Sequence, residues 1–466
     1  MAAIRLNKWP RKAWLLVTVL ILGPGFCSGQ ETGFKTLRYE EDYSSPGADS
    51  AVGLYHRIKH WPLGRTRSYL SVGGEVRYQY FWYKNPGWGA EPNDPDGFVL
   101  SRFLTHADLH VGGRVRLFMQ LQSSMAAGMS GAASPVDENP LDIHQLMTDI
   151  DLSAKKDKKL LLRIGRQELS YGSQRLISVR EGPNSRQAFD AARLVFTREY
   201  IRADAFYSTY VNARKHIFDE RFWDGSSRLW GSYMVIPPIS KFPGLDLYYL
   251  GVRKHGTFTD VSGREQRHSV GTRIWKNKNR VSADLEAVYQ FGRIAETHIR
   301  AWTVSMNASY RLNTNRLTPV LGIKSELVSG DRQYGDGTLN TFNPLYPRGA
   351  YFGLASLIGP YNLADFHPYF QLGLARRITW SVDYDVFWRM SRNDGLYAVN
   401  GALIHNGLGI NSKSIGRQLG TDIGIGPNRF LDLKLEFTWF DTGSFLQQAG
   451  LGKPIYMAGF TAAIKY

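Results

Sequence analysis

The sequence predicts an all-β protein: a transmembrane, antiparallel, up-and-down β-barrel of about eighteen strands. Three observations support this prediction. Apolar and polar residues alternate in many segments, the gaps between these segments alternate between short and long, and the chain ends on a segment of the same kind. Alternation with period two gives a strand one oily and one polar face, and a closed barrel in a membrane accommodates both faces.

The first 29 residues have the features of a secretory signal peptide. The apolar run AWLLVTVLILGPGF follows four basic residues and precedes the small residues CSG, which predicts cleavage near Gly29. A lipoprotein signal at Cys27 is the less favoured alternative, because Phe26 stands where a small residue is expected. Residues 30–67 are mixed and turn-rich and are predicted to form a periplasmic lead-in, and residues 68–466 are predicted to form the barrel.

Removal of the signal peptide would leave a basic chain without cysteine. The formal net charge falls from +16 to +12, because residues 1–29 hold four basic and no acidic residues. Such a chain has no disulfides, and no later segment offers ~18 consecutive apolar residues for a membrane-spanning helix. The 25 Tyr, 24 Phe, 12 Trp and 47 Gly are typical of strands with one wet face. Export and the lack of a nucleic-acid motif argue against a nucleic-acid-binding protein.

The segment ITWSVDYDVFWRM, residues 378–390, shows the alternation most clearly. Asp383 and Asp385 share one face, opposite an apolar face that Trp380 and Trp388 bracket. The two tryptophans are separated by about 26 Å along a strand, or about 20 Å along the membrane normal at a ~40° tilt. This spacing is close to the height of the apolar band of a membrane barrel, which aromatic girdles border on both sides.

The same alternation recurs along the chain and predicts about eighteen strands. Clear examples are YLSVGGEVRYQYFW, RFLTHADLHV, VRLFMQL, IRADAFYSTYV, VSADLEAVYQ, AWTVSMNASY, LDLKLEFTWF and the terminal YMAGFTAAIKY.

The gaps between the strands give an independent argument, because membrane barrels join strands by tight periplasmic turns and longer extracellular loops. Tight connections are predicted at 112–113, 154–157, 199–200, 237–244, 276–279, 312–316, 376–377 and 427–429. Long ones are predicted at 84–97, 125–143, 170–189, 212–227, 330–366, 391–414 and 441–453, with modest ones at 255–264 and 292–297. A propeller or a sandwich has no reason to follow this rule.

Basic side chains are prominent on the predicted inward face. The polar face of the first seven strands carries Arg77, Arg102, Arg114, Arg116, Arg163, Arg193 and Arg202, together with Asp108, Asp149, Asp151 and Asp204. Arginines that line a pore attract anions, and their planar forks suit carboxylates or sulfates. Alternatively, arginine and aspartate pair across neighbouring strands and rigidify the wall. Both interpretations stay open at this point.

The stretch LLLRIGRQELSYGSQRLISVREGPNSRQAFDAARLVF, residues 160–196, carries a more specific signal. It contains Gly-Arg-Gln-Glu at 165–168, Tyr-Gly at 171–172, Arg-Leu at 175–176 and Phe-Asp at 189–190. In these residues and their spacing the chain resembles the outer-membrane alginate export family.

The resemblance implies an eighteen-stranded barrel of the bacterial outer membrane that passes an anionic polysaccharide outward. It also implies an electropositive constriction, formed by lumen arginines and an inward-folded loop. Carried over residue by residue, Arg166, Arg175, Arg193 and Asp190 are the candidates for this constriction. The alternative is that Gly165, Gly172, Phe189 and Asp190 only shape the loop and anchor it to the wall.

Other chemistries find less support in the sequence. His106, Asp108 and His110 share one strand face and could hold a metal, but no further ligand is identifiable and a polar row is favoured. Phosphate-binding, zinc-protease and serine-hydrolase motifs are absent from the sequence. We therefore expect no cofactor. Besides a polysaccharide channel, two hypotheses stay open: an anion-selective porin for small solutes or oligosaccharides, and an outer-membrane hydrolase. Expected partners are the anionic substrate, outer-membrane lipid and periplasmic export proteins.

Overall fold

The computed structural model describes residues 34–44, 53–64, 67–153, 158–278, 280–312 and 317–466. The predicted signal peptide and the tight connection 154–157 lie outside these residues.

Eighteen long strands form the body of the protein, as the sequence predicts. In chain order they are β1 (Tyr69–Lys84), β2 (Phe98–Val111), β3 (Val115–Ala127), β4 (Asn139–Asp151), β5 (Lys158–Gln167), β6 (Phe189–Arg198), β7 (Ile201–Tyr210), β8 (Arg228–Ile236), β9 (Gly244–Thr257), β10 (Ser262–Lys278), β11 (Val281–Ile294), β12 (Thr297–Arg311), β13 (Thr318–Val328), β14 (Leu363–Ala375), β15 (Ile378–Arg389), β16 (Ser414–Ile425), β17 (Leu431–Thr442) and β18 (Ile455–Lys465).

The sheet closes on itself. Every strand pairs antiparallel with the next one along the chain, and β18 returns to pair with β1 in a register that runs from Glu75↔Lys465 to Lys84↔Tyr456. Closure leaves no strand edge unpaired, which is the condition for crossing a bilayer with strands. The predicted antiparallel up-and-down barrel of eighteen strands is confirmed.

Regular structure outside the barrel is sparse. Two short helices occur, α1 (Leu54–Lys59) and α2 (Ser444–Gln448), with 3-10 turns at Arg38–Glu40 and Pro86–Gly89. Within the described ranges, no helix is long and apolar enough to span a membrane.

The connections between the strands alternate as predicted. One end of the barrel, the short-turn end, has tight links such as 112–114, 199–200 and 376–377. The other end, the long-loop end, carries loops at 85–97, 128–138, 168–188, 211–227, 329–362, 390–413 and 443–454. The two modest connections are the short links 258–261 and 295–296 at this same end.

Burial is inverted relative to a water-soluble protein. In β15 the Asp385 side chain is fully buried, whereas Trp388 is 38% exposed on the outside. Among the largest fully buried side chains are Arg102, Arg267 and Arg389, while leucine, valine, phenylalanine and tyrosine side chains cover the exterior. An apolar exterior around a charged interior is stable where acyl chains replace water outside.

In the Gly-Arg-Gln-Glu motif at 165–168, the glycine is required for steric reasons. Gly165 in β5 has φ +125°, and a Cβ atom at this position would lie 2.2 Å from the Leu146 carbonyl oxygen of β4. Only glycine combines this backbone conformation with so close a strand contact.

Replacement of Gly165 by alanine is therefore expected to destabilise the barrel by about 2 kcal/mol or more. The measurement is the denaturant midpoint of the refolded protein in detergent, followed by the heat-dependent gel shift typical of folded barrels. Gly424→Ala in β16 is the matched control, since a Cβ there meets nothing within 4 Å. Equal midpoints for both variants would contradict this steric explanation.

Candidate channel interior

Loop 168–188 crosses the interior of the barrel. On one wall, Arg77 donates to the carbonyl oxygens of Glu181 and Pro183, each at 2.8 Å. On the opposite wall, Ser173 donates to the Glu286 carboxylate of β11, and the Arg175 guanidinium lies 3.4 Å from it. Since β1 and β11 stand far apart around the barrel, this loop occupies the path between them.

Loop 329–362 also folds inward and packs against loop 168–188. Ile177 and Tyr346 form a parallel β-bridge, and the Arg348 amide donates to the Gln174 carbonyl oxygen at 3.1 Å. Phe352 from the same loop contacts Phe387 of the wall, and its carbonyl oxygen accepts a bond from Gln418 at 2.6 Å. This contact was not predictable from the sequence, because an aperiodic loop does not reveal which way it folds.

The N-terminal segment 34–44 reaches the base of loop 168–188. Tyr39 donates its hydroxyl to the Glu168 carbonyl oxygen at 2.9 Å, and Arg186 donates to the Thr36 carbonyl oxygen at 2.8 Å. The guanidinium of Arg163 lies 4.1 Å from the centre of the Tyr39 ring. Part of the predicted lead-in therefore lies among inward side chains of the wall.

Most of the predicted arginines are paired with carboxylates, across neighbouring strands except for Arg202 and Asp204, which both lie in β7. The pairs are Arg116 with Asp108, Arg163 with Asp149, Arg193 with Asp204, Arg202 with Asp204 and Arg102 with Glu75. Arg116 and Arg163 are both bidentate, at 2.6 and 2.7 Å. Arg114 lies in the turn between β2 and β3 rather than in a strand.

Two of the four constriction candidates lie together, apart from the others. Arg166 donates to Asp190 at 2.8 Å, and both side chains are buried. The Arg166 guanidinium also lies 4.0 Å from the Phe222 ring centre and 3.2 Å from Glu220, both in loop 211–227. This pair therefore anchors loop 211–227 to the wall, and its described contacts do not include Arg175 or Arg193.

The other two candidates, Arg175 and Arg193, lie nearer the part of the interior that loop 168–188 crosses. Arg193 is 5.3 Å from the centre of the Tyr171 ring and borders a cavity of about 550 Å³, shared with Lys35 and Arg202. Arg175 lies between Glu286 and Glu326, whose nearest oxygens are 3.4 and 3.8 Å away.

Arg180 and Arg348 of the loops have no carboxylate partner within the described part of the chain, and no ion pair joins the inward Lys254 of β9 or Lys324 of β13 either. Arg180 donates to the Tyr210 hydroxyl at 3.3 Å, and Arg348 lies 5.0 Å from the centre of the Tyr351 ring. Burial lowers the pKa of the Arg348 guanidinium from its ordinary value. Arg348 was not among the predicted site residues, because its loop shares no face pattern with the strands.

The acidic face of β15, which carries Asp383 and Asp385, also has a basic partner. His367 of β14 places Nδ1 2.7 Å from Asp385 and Nε2 3.3 Å from Asp383. The His106–Asp108–His110 row is occupied in a different way: Asp108 pairs with Arg116, and the rings of His106 and His110 stack on Phe118 and Tyr69.

Glu220 in loop 211–227 has a strongly shifted pKa. Burial, followed by the negative charge of Asp142, raises the pKa of this carboxyl to about 8 from an ordinary value of 4.5. The folded loop thus holds a proton that the unfolded loop releases. The resulting stability is fully present below about pH 4.5 and is lost as the pH rises through about 8.

We expect protection of the loop 211–227 amides against hydrogen exchange, corrected for intrinsic rates, to fall between about pH 5 and 8. In Glu220→Gln this fall should disappear, because the amide cannot ionise. Asp224→Asn is the control, since Asp224 in the same loop pairs with Arg214 at 3.6 Å instead. A fall of the same size in Glu220→Gln would refute this assignment.

Comparisons with known proteins agree with the barrel fold. The profile of the family described as Alginate export matches residues 68–454. Among solved structures, OpdO of Pseudomonas aeruginosa is 12% identical with a TM-score of 0.55, covering 85% of this chain and 97% of its own. A BenF-like porin from Pseudomonas fluorescens Pf-5 is 10% identical with a TM-score of 0.54, covering 85% and 98%. These likenesses concern the fold alone. A search of curated proteins found no match.

Proposed function

Because the chain belongs to the alginate export family and forms a porin-like barrel of the bacterial outer membrane, we propose that this channel carries an anionic, alginate-like polysaccharide outward. Transport is passive, driven by the polymer gradient and directed by charge and width. The family and the structural relatives are channel proteins.

The main support is loop 168–188, which carries Arg175 and Arg180 across the interior to meet Arg348 of loop 329–362. Arg180 and Arg348 have no carboxylate partner in the described part of the chain, so they offer free guanidinium forks to a passing carboxylate. Such forks bind carboxylates in a planar, bidentate way.

The paired arginines of the wall suit a moving polyanion in a second way. Arg163 and Arg193 are already held by Asp149 and Asp204. A carboxylate of the substrate can share such a guanidinium without becoming trapped, and conduction requires binding that is weak and repeated. Arg77, Arg102 and Arg116 extend this surface around the wall.

The first test is ion selectivity in planar bilayers. We expect anion selectivity, and a ratio of anion to cation permeability that falls about twofold or more in Arg180→Gln/Arg348→Gln. This double variant leaves no buried carboxylate stranded. Arg417→Gln is the control, because Arg417 lies on the exterior and pairs with Asp441.

Cation selectivity that stays unchanged when Arg166, Arg175 and Arg193 are replaced by alanine would overturn the proposal. So would equal loss of selectivity in the Arg417→Gln control.

We also propose that segment 34–44 narrows the path. Arg38 donates to the Tyr466 carbonyl oxygen at 2.8 Å, and Tyr39 is bonded to Glu168. A polymer needs a continuous passage, and a segment held by a few such bonds can move aside.

Arg38→Ala/Tyr39→Ala is therefore expected to raise single-channel conductance about twofold or more. Lys35→Ala is the control, since the Lys35 ammonium only bonds the exposed Glu40 carbonyl oxygen. Unchanged conductance in the double variant would exclude a narrowing role for this segment.

A second candidate is an anion-selective porin for small solutes. It is favoured by the small spaces beside the loops, about 550 Å³ and about 150 Å³. Liposome efflux with uronate monomers and with long polyuronate chains separates the two functions, because a small-solute porin passes only the monomers.

The hydrolase alternative requires a serine within reach of His106 or His110. In the described part of the chain, Nδ1 of His106 is buried without a hydrogen-bond partner, and Nε2 of His110 lies 3.2 Å from an Asp108 oxygen. An assay for polyuronate cleavage by the purified channel tests this alternative directly.

A further inference from the structure

Five arginines form a basic belt on the outer surface at the long-loop end. They are Arg228 of β8, Arg253 of β9, Arg264 of β10, Arg293 of β11 and Arg300 of β12. Their strand neighbours include the buried, inward residues Leu229, Val252, Glu265, Ile294, Ile299 and Ala301. Because successive residues of a strand point to opposite faces, the five arginines point outward.

The register places most of the belt in one row across the strands. Arg228 lies directly opposite Arg253, and Gln266 lies opposite both Arg253 and Arg293. His298 of β12 continues the row opposite Arg293. The row therefore crosses five strands, or four spacings of about 4.8 Å, for a width of about 19 Å.

The belt lacks internal neutralisation. No ion pair connects any of the five arginines to a carboxylate in the described part of the chain, and Arg228 faces the like-charged Arg253 directly. Like charges directly opposite each other destabilise a sheet. By contrast, the outward Arg417 of β16 has a carboxylate 2.8 Å away on Asp441. Anions from outside the chain can therefore neutralise the charge of the belt.

An aromatic layer and an apolar groove lie below the belt on the same strands. One row down toward mid-membrane are Trp230 and Phe291, and the next row carries Tyr249, Tyr289 and Trp302. A shallow groove of about 740 Å³ begins at this second row, where Val270 also lines it, and continues toward mid-membrane along Met234, Leu247, Ala287 and Val304. Charge, aromatic rings and aliphatic surface follow one another in the order of an amphiphile's headgroup, interface and chains.

We propose that the outward face of β8 to β12 binds lipopolysaccharide, the phosphorylated and multiply acylated glycolipid of the outer leaflet. Its phosphates contact the basic belt and its acyl chains lie in the groove. The long-loop end faces the outside in outer-membrane barrels, so the belt is at the right leaflet. A cavity of about 180 Å³ beside Arg228, Arg253 and Arg264 has room for one phosphate group. A belt about 19 Å wide suits a headgroup with several anionic groups better than a phospholipid with one phosphate.

The test is titration of the delipidated, full mature protein in detergent with lipopolysaccharide, followed by native mass spectrometry. We expect one tightly retained molecule, and an apparent affinity about tenfold or more weaker in Arg253→Glu/Arg293→Glu. The matched control is Lys276→Glu/Lys278→Glu, which makes the same charge change at the short-turn end of β10. It should bind as the unaltered protein does.

Three results would overturn the proposal: equal affinity in both double variants, equal loss in both, or equally tight binding of phosphatidylglycerol. Displacement by millimolar inorganic phosphate alone would assign the belt to free phosphate instead. If the glutamate variant does not refold, Arg253→Gln/Arg293→Gln gives the same comparison with a smaller expected change.

Discussion

The pairing of β1 with β18 is the constraint on which the rest of the molecule depends. It satisfies the backbone groups of the first and last strands within the sheet, where a bilayer offers no substitute. Once the sheet is closed, each side chain has only two directions, outward to lipid or inward. The inversion of burial, with Arg102 and Arg267 inside and leucines outside, follows from closure.

Closure also concentrates charge, because arginines and carboxylates of neighbouring strands face a small enclosed space. Pairs such as Arg163 with Asp149 and Arg193 with Asp204 neutralise one another there. The loops then use the remaining groups of the wall as anchors: Arg77 holds the backbone of loop 168–188, and Glu286 receives its Ser173. Among the described residues, the cations left without an ion pair include Arg180 and Arg348 of the loops and Lys254 and Lys324 of the wall.

The strands were predictable from sequence because period-two alternation reports the face of each residue directly. Asp385 inside and Trp388 outside in β15 are the clearest case. Cross-strand partners were not predictable, since a shift of two residues keeps every face but changes every pair. The anchoring of loop 211–227 by Arg166 and the meeting of Arg228 with Arg253 both depend on that register. The inward fold of loop 329–362 left no periodic pattern to read.

The Tyr466 carbonyl oxygen is a meeting point of distant parts of the chain. It accepts bonds from the Gly74 amide at 2.9 Å, from Arg38 at 2.8 Å and from Lys59 at 3.1 Å. The first bond belongs to the seam of the barrel, and the other two come from residues ahead of β1. Those two share their acceptor with the seam. Closure of the barrel thus adds an anchor for residues 34–44 and α1 to the contacts that segment 34–44 already makes with Glu168 and Arg186.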